Sequence, residues 1–175
     1  GDDRFYNNIF ANACGEDNKN FKTGLSMYDG SPVSLQEYTD TVWEKYPKGD
    51  VAQYALEKQP VYIAHNFYAD GVSPFDRDKT SVKTEMCTNA QIVMDDDGVY
   101  LEMTVDESFT DIKAEIINTK KLGTPRLTEV PYENPDGTHI SIDHDLLGNE
   151  RGTNPTAGPI ECLGTGKVRV LLLKK

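Results

Sequence analysis

The run Ser141–Glu161, S-I-D-H-D-L-L-G-N-E-R-G-T-N-P-T-A-G-P-I-E, constrains the chain most, because it reads as a turn carrying its own fastenings. Ile140 and Ile142 alternate with Ser141 and Asp143, as a half-buried strand over 138–143 requires. Leu146-Leu147-Gly148-Asn149 then supplies residues that tolerate a positive φ. Arg151 comes next, at a distance from which it could fold back onto Asp143 or Asp145. A guanidinium suits that task, since its planar donors grip a carboxylate through two hydrogen bonds and hold a loop in one geometry. The Asn154-Pro155 and Gly158-Pro159 steps punctuate the rest of the run.

The same run carries a resemblance. Asp143-x-Asp145, then Gly148, Arg151 and a Pro/Gly-rich approach to Ile160-Glu161, resembles the closing segment of many secreted right-handed parallel β-helix proteins. Pro131-Tyr132-Glu133-Asn134-Pro135-Asp136-Gly137 extends the likeness upstream. Arg4-Phe5-Tyr6-Asn7-Asn8-Ile9-Phe10 resembles a β-helix rung, with an Asn ladder and an inward Ile/Phe repeat. Together these resemble the C-terminal part of a Bacteroidetes-type β-helix glycoside hydrolase or polysaccharide lyase. The resemblance covers about half the chain, and its motifs describe the end of a scaffold rather than an active site. It implies a secreted, periplasmic or cell-surface location, and as partner either a polysaccharide or the remainder of a β-helix.

Charge narrows the partners further. With 29 acidic against 18 basic residues among 175, the formal charge of −11 repels nucleic acid and anionic membrane and favours neutral sugars. No run approaches the roughly 18 apolar residues of a membrane span, and none reads as a signal peptide. The chain opens on Gly1 rather than Met, which reads as processing or trimming. Cys14, Cys87 and Cys162 are odd in number and widely spaced, without a C-x-x-C or Cys/His cluster, so a zinc site is not expected. Three reduced thiols are the favoured reading, and a single pair involving Cys162 is the alternative.

In chain order the expectation is one mainly β domain, 1–175: an antiparallel, sandwich-like fold with a rung-like start at 1–30, a helical insert at 34–58 and a sheet region at 89–175. Thr23–Tyr28 is a second strand candidate after the first rung. Ser34-Leu35-Gln36-Glu37 is a capping box, and Leu35, Tyr38 and Val42 recur on one helical face with Trp43 beside them. A second short helix is expected from Asp50 to about Lys58. The aromatics at helical spacing (Tyr38, Trp43, Tyr46, Tyr54) read as core, and if one of them is an exposed sugar platform it is Trp43. Residues 60–68 read as one strand with His65 a structural histidine, and 73–88 as a polar linker. Residues 91–105 form the clearest hairpin, with Asp97-Gly98 as its tight turn and Val99, Leu101, Met103 and Val105 on one face. The aspartates 95–97 could meet calcium, but they lack the alternate spacing and later glutamate of an EF-hand, so neither metal nor cofactor is expected. The segment 111–121 fits a strand or a short helix, and 168–173 reads as a strand buried on both sides or pinned at the centre of a sheet.

The sharpest catalytic reading draws an acid and a base or nucleophile from Glu133, Asp136, Asp143 and Asp145. On one strand face, 143 and 145 would lie about 6.5 to 7 Å apart, within the roughly 5 to 9.5 Å of glycosidase pairs. The same acids also serve as turn structure around Arg151, and that reading is preferred. Neither a G-x-S-x-G elbow nor a phosphate loop occurs. The expected function is therefore a non-catalytic accessory or scaffold-completing domain of a carbohydrate-active protein. The alternatives are a glycoside hydrolase using a carboxylate pair, or a carbohydrate-binding module using Trp43.

Overall fold

The structure is a computed structural model and describes residues 3–12, 34–45, 47, 61–75, 77–125 and 128–175. It is mainly β. Two short parallel ladders run through its first half and an antiparallel sheet through its second.

The ladders are built from one repeated unit. Strand β1 (Asp3–Tyr6) bends into β2 (Ile9–Phe10), and β3 (Val61–Ala64) bends in the same way into β4 (Phe67–Tyr68). Asp3 faces Val61 and Ile9 faces Phe67 in parallel, at a constant offset of 58 residues. Both bends are made by a residue in the left-handed region, Asn7 at φ 56° and His65 at φ 58°. Asn takes that conformation readily. After the bend, Asn8 stacks on Asn66: the Asn66 Oδ1 accepts from the Asn8 backbone N–H at 2.8 Å and from its Nδ2 at 2.9 Å. The Asn66 amide in turn donates to the Phe5 carbonyl at 2.9 Å and to Asp78 at 2.7 Å. Asn66 is fully buried, so its four partners replace water completely.

Expected features of this half are partly corrected. Residues 60–68 are not one strand, because His65 turns the chain between β3 and β4. Nor is 73–88 merely a linker. Val82–Lys83 is strand β5 and pairs in parallel with β4, only 15 residues on from it by the His65–Thr80 contact. Asp78 is buried there, with Asn66 and Tyr68 on one of its oxygens. Burial first, then the charge of Asp78, pushes the Tyr68 phenol well above its ordinary pKa, so it stays protonated and donates.

Helix α1 (Leu35–Lys45) is capped as expected, with Ser34 Oγ accepting from the Glu37 amide at 3.1 Å. Leu35 is exposed and the Trp43 side chain is 66% exposed, while Tyr38 and Val42 are half-buried. The second helix expected at 50–58, the strand at 23–28, Tyr46, Tyr54 and Cys14 lie outside the described residues.

The antiparallel sheet follows the alternation read from sequence. Strands β6 (Gln91–Met94) and β7 (Gly98–Val105) pair as a hairpin, and β8 (Gly166–Lys174) joins the other side of β7. Met103 and Val105 are buried and Leu101 packs beside them, joined by Phe67, Phe109, Ile112 and Ile160 in a core shared with the parallel ladders. Three expectations change. The Asp95 amide donates to the Gly98 carbonyl at 2.9 Å, so Asp96-Asp97 and not Asp97-Gly98 occupies the turn. Gly98 is needed instead for close strand approach, since a Cβ there would stand 2.6 Å from the Leu173 carbonyl oxygen. Among the described residues strand β8 is an edge strand with an alternating exposed pattern, neither buried on both sides nor at the centre of its sheet.

No strand forms at 138–143. Its backbone makes only isolated bridges, Asn118 with Ser141 and Glu133 with His139. The 111–121 segment ends in a short helix α2 (Thr119–Leu122), after Ile112, Ala114 and Ile117 have entered the core side. Cys162 is a free, exposed thiol on a turn residue at φ 53°, as the favoured reading of reduced thiols has it, whereas Cys87 is disulfide-bonded, which corrects that reading at this position and removes Cys162 from the alternative pair. Among the described residues, no helix is long and apolar enough to cross a membrane.

Candidate functional site

The C-terminal wrap, residues 142–161, folds around the buried carboxylate of Asp145. Its oxygens accept from the amides of Leu147, Asn149 and Glu161 at 2.9, 2.8 and 2.9 Å, and from the Asn149 side chain at 3.0 Å. Burial works to raise the pKa, but these hydrogen bonds outweigh it and hold Asp145 at about 2.

Arg151 is the second fastening, and its partner is not the expected one. Its guanidinium pairs with Glu161 at 3.2 Å, the two side chains being 8% and 11% exposed. It also donates to the carbonyls of Thr156 at 2.9 Å, Gly158 at 2.8 Å and His144 at 3.3 Å. Neither Asp143 nor Asp145 is a side-chain partner; only the Arg151 amide reaches the Asp143 carbonyl, at 2.7 Å. Asp145 has already committed its lone pairs to amides, which leaves Glu161 as the acid for the cation. Gly158, in turn, donates from its amide to the Asn7 carbonyl at 2.6 Å. The wrap is thereby pinned to the bend between β1 and β2.

Between that bend and the wrap lies a cleft of about 550 Å³. Tyr6, Asn7, Asn8 and Ile9 form one wall, Glu115 and Ile117 another, and Ile142, His144, Leu146 and Pro159 the third. The Glu115 side chain is 51% exposed. Its Oε2 is 2.5 Å from Lys121 Nζ, whose hydrogen bond lowers the Glu115 pKa, while Oε1 is 3.6 Å from His65 Nε2, too far for a hydrogen bond. His144 is 59% exposed and its Nδ1 lies 2.8 Å from Asp143 Oδ1. That contact leads the causes that lower the Asp143 pKa.

The remaining expected site residues lie apart from this cleft. Asp136 accepts from the amide and hydroxyl of Thr138 at 3.0 and 2.7 Å, a self-contained turn that lowers its pKa. Glu133 is exposed beside His139. Of the four carboxylates, only Asp145 lines the cleft, with Asp143 held behind His144. Trp43 is on α1. The aspartates of the hairpin turn are engaged by β8 and β7: Arg169 pairs with Asp95, and Tyr100 donates to Asp97 at 2.7 Å. Among the described residues, no group of three or more His, Cys, Asp or Glu is gathered as metal ligands would be. Sequence reasoning missed Glu115 and His144. His144 stands between the two candidate aspartates, and the buried alternation at 112 and 114 marks 115 as facing outward.

No family model and no curated protein matches this chain. It is similar to a solved structure of XylC in complex with xylose, at 33% identity and a TM-score of 0.71. The alignment covers 98% of this chain and 26% of the XylC chain, so this chain spans about a quarter of that protein's length.

Proposed function

We propose that this chain is a structural segment of an extracytoplasmic carbohydrate-active protein, one that completes a parallel β-helix of the Bacteroidetes type and lends an antiparallel, sandwich-like sheet to its end. The observation that carries the reading is the likeness to XylC, solved with xylose, over nearly the whole of this chain but a quarter of that one. Two structural features support it. The stacked bends of β1–β2 and β3–β4, with Asn8 over Asn66, are what neighbouring rungs of a β-helix require. The disulfide at Cys87 suits an oxidising compartment.

The segment supports rather than catalyses. Asp145 is consumed by four donors, while Asp143, Asp136 and Glu133 are absent from the cleft lining, so the four candidates supply no acid facing a nucleophile across it. A screen of the chain against aryl glycosides and plant and host polysaccharides, recording binding and product release together, tests this. No product release is expected. Turnover that disappears in Asp143→Asn or Asp145→Asn would overturn the supporting role and restore the carboxylate pair.

A further inference from the structure

We propose that the cleft between the β1–β2 bend and the 142–159 wrap binds a neutral sugar ring, whose hydroxyls are taken by the Glu115 carboxylate and the His144 imidazole. This deepens the carbohydrate reading and rests on it. The cleft volume of about 550 Å³ falls within the roughly 300 to 1,000 Å³ of small-ligand sites.

The chemistry of the lining selects the ligand. Lys121 occupies one oxygen of Glu115, while Oε1 keeps its acceptor capacity on a half-exposed side chain. At His144 the ionised Asp143 can only accept, so Nδ1 must be the donor, and in the neutral imidazole Nε2 is then left as an acceptor. Two acceptors on different walls match a ligand rich in hydroxyl donors. A sugar acid is disfavoured, because the cation in the lining, Arg151, is committed to Glu161 and three carbonyls. Between the polar groups, Ile9, Ile117 and Pro159 with the exposed Ile142 and Leu146 offer apolar surface to the C–H faces of a ring.

The test is an amide-resolved NMR titration of the chain with xylose and xylobiose, with glucuronate as the anionic control. Saturable shifts are expected at 6–9, 115–117 and 142–146, and none with glucuronate. Glu115→Ala and His144→Ala should each weaken xylobiose binding about tenfold, whereas Lys121→Ala, which breaks the same ion pair but leaves the acceptor, should change it less than about threefold. A purely structural Glu115 would make the Glu115 and Lys121 variants equivalent, and that result overturns the proposal. So does the absence of saturable shifts at the cleft, or equal binding of glucuronate. Shifts confined to Trp43 and α1 would overturn the cleft while leaving the carbohydrate reading intact; that reading is judged separately by the turnover screen.

Discussion

Replacing Arg151 with Ala removes the cation that closes the wrap. The substitution deletes an ion pair whose two side chains are 8% and 11% exposed, together with three hydrogen bonds to carbonyls. Glu161 keeps only the Thr156 amide, so a buried carboxylate is left without its countercharge. Removing one partner of a buried pair costs about 3 to 5 kcal/mol, chiefly the desolvation of the charge left behind. For a chain of this size that corresponds to a fall in Tm of about 6 to 20 °C. Urea denaturation supplies the free energy, and a double-mutant cycle with Glu161→Ala isolates the pair. The double variant should lose less than the sum of the singles, since it abandons no charge. Hydrogen exchange adds a local reading: the Gly158 amide, bonded to the Asn7 carbonyl, should lose protection before the β7–β8 amides do. A loss below about 1 kcal/mol, or an additive cycle, would refute the claim that this pair holds the wrap.

Asn66→Ala should cost about 3 kcal/mol, because it leaves the Asn8 amide and the Phe5 carbonyl without their partner and takes one donor from Asp78, which keeps Tyr68 and Thr80; thermal melts that shift by only a few degrees would contradict this. Asp145 is a carboxylate whose folded pKa, about 2, lies below its ordinary value of 3.8. Its stabilisation is therefore fully present above pH 4 and is lost as the pH falls through about 2, a total of about 2 kcal/mol; urea midpoints measured across that window should fall more steeply for the parent chain than for Asp145→Asn.

How much was legible in the residues depends on how local each partnership is. The hairpin 91–105 is legible because its period-two pattern and its pairing lie within one stretch. Residues 168–173 are recognisable as a strand, but their apolar run says nothing about how many neighbours the strand has, and β8 is an edge. The first rung can be recognised at Asn7-Asn8, yet its mate is 58 residues on, where 60–68 reads as one uninterrupted strand and His at a bend gives no signal. The third unit, Thr80 to Thr84, is too polar to suggest a strand until a buried Asn66 needs a neighbour. At the wrap, the need of Arg151 for an acid is plain from its place after the turn. Which acid is not, because the choice is made by Asp145 surrendering its oxygens to amides, and amides are invisible in a sequence.

The two unequal offsets in the parallel ladder set an order of assembly. Pairing β4 with β5 closes an interval of 15 residues, whereas pairing β2 with β4 closes one of 58. Closure entropy grows only with the logarithm of the interval, so the longer excursion costs about 1 kcal/mol more. That difference favours the β4–β5 step before the docking of the Asp3–Phe10 rung onto Asn66, an order that pulse-labelled hydrogen exchange would test by earlier protection of the Val82 amide than of the Phe67 amide. The same logarithm makes the excursion a tolerant place for added chain: doubling its length would cost about 0.6 kcal/mol, less than one hydrogen bond of the Asn8–Asn66 stack. An insertion between the first two rungs is therefore expected to leave their register intact, which a thermal melt of a chain lengthened there would check.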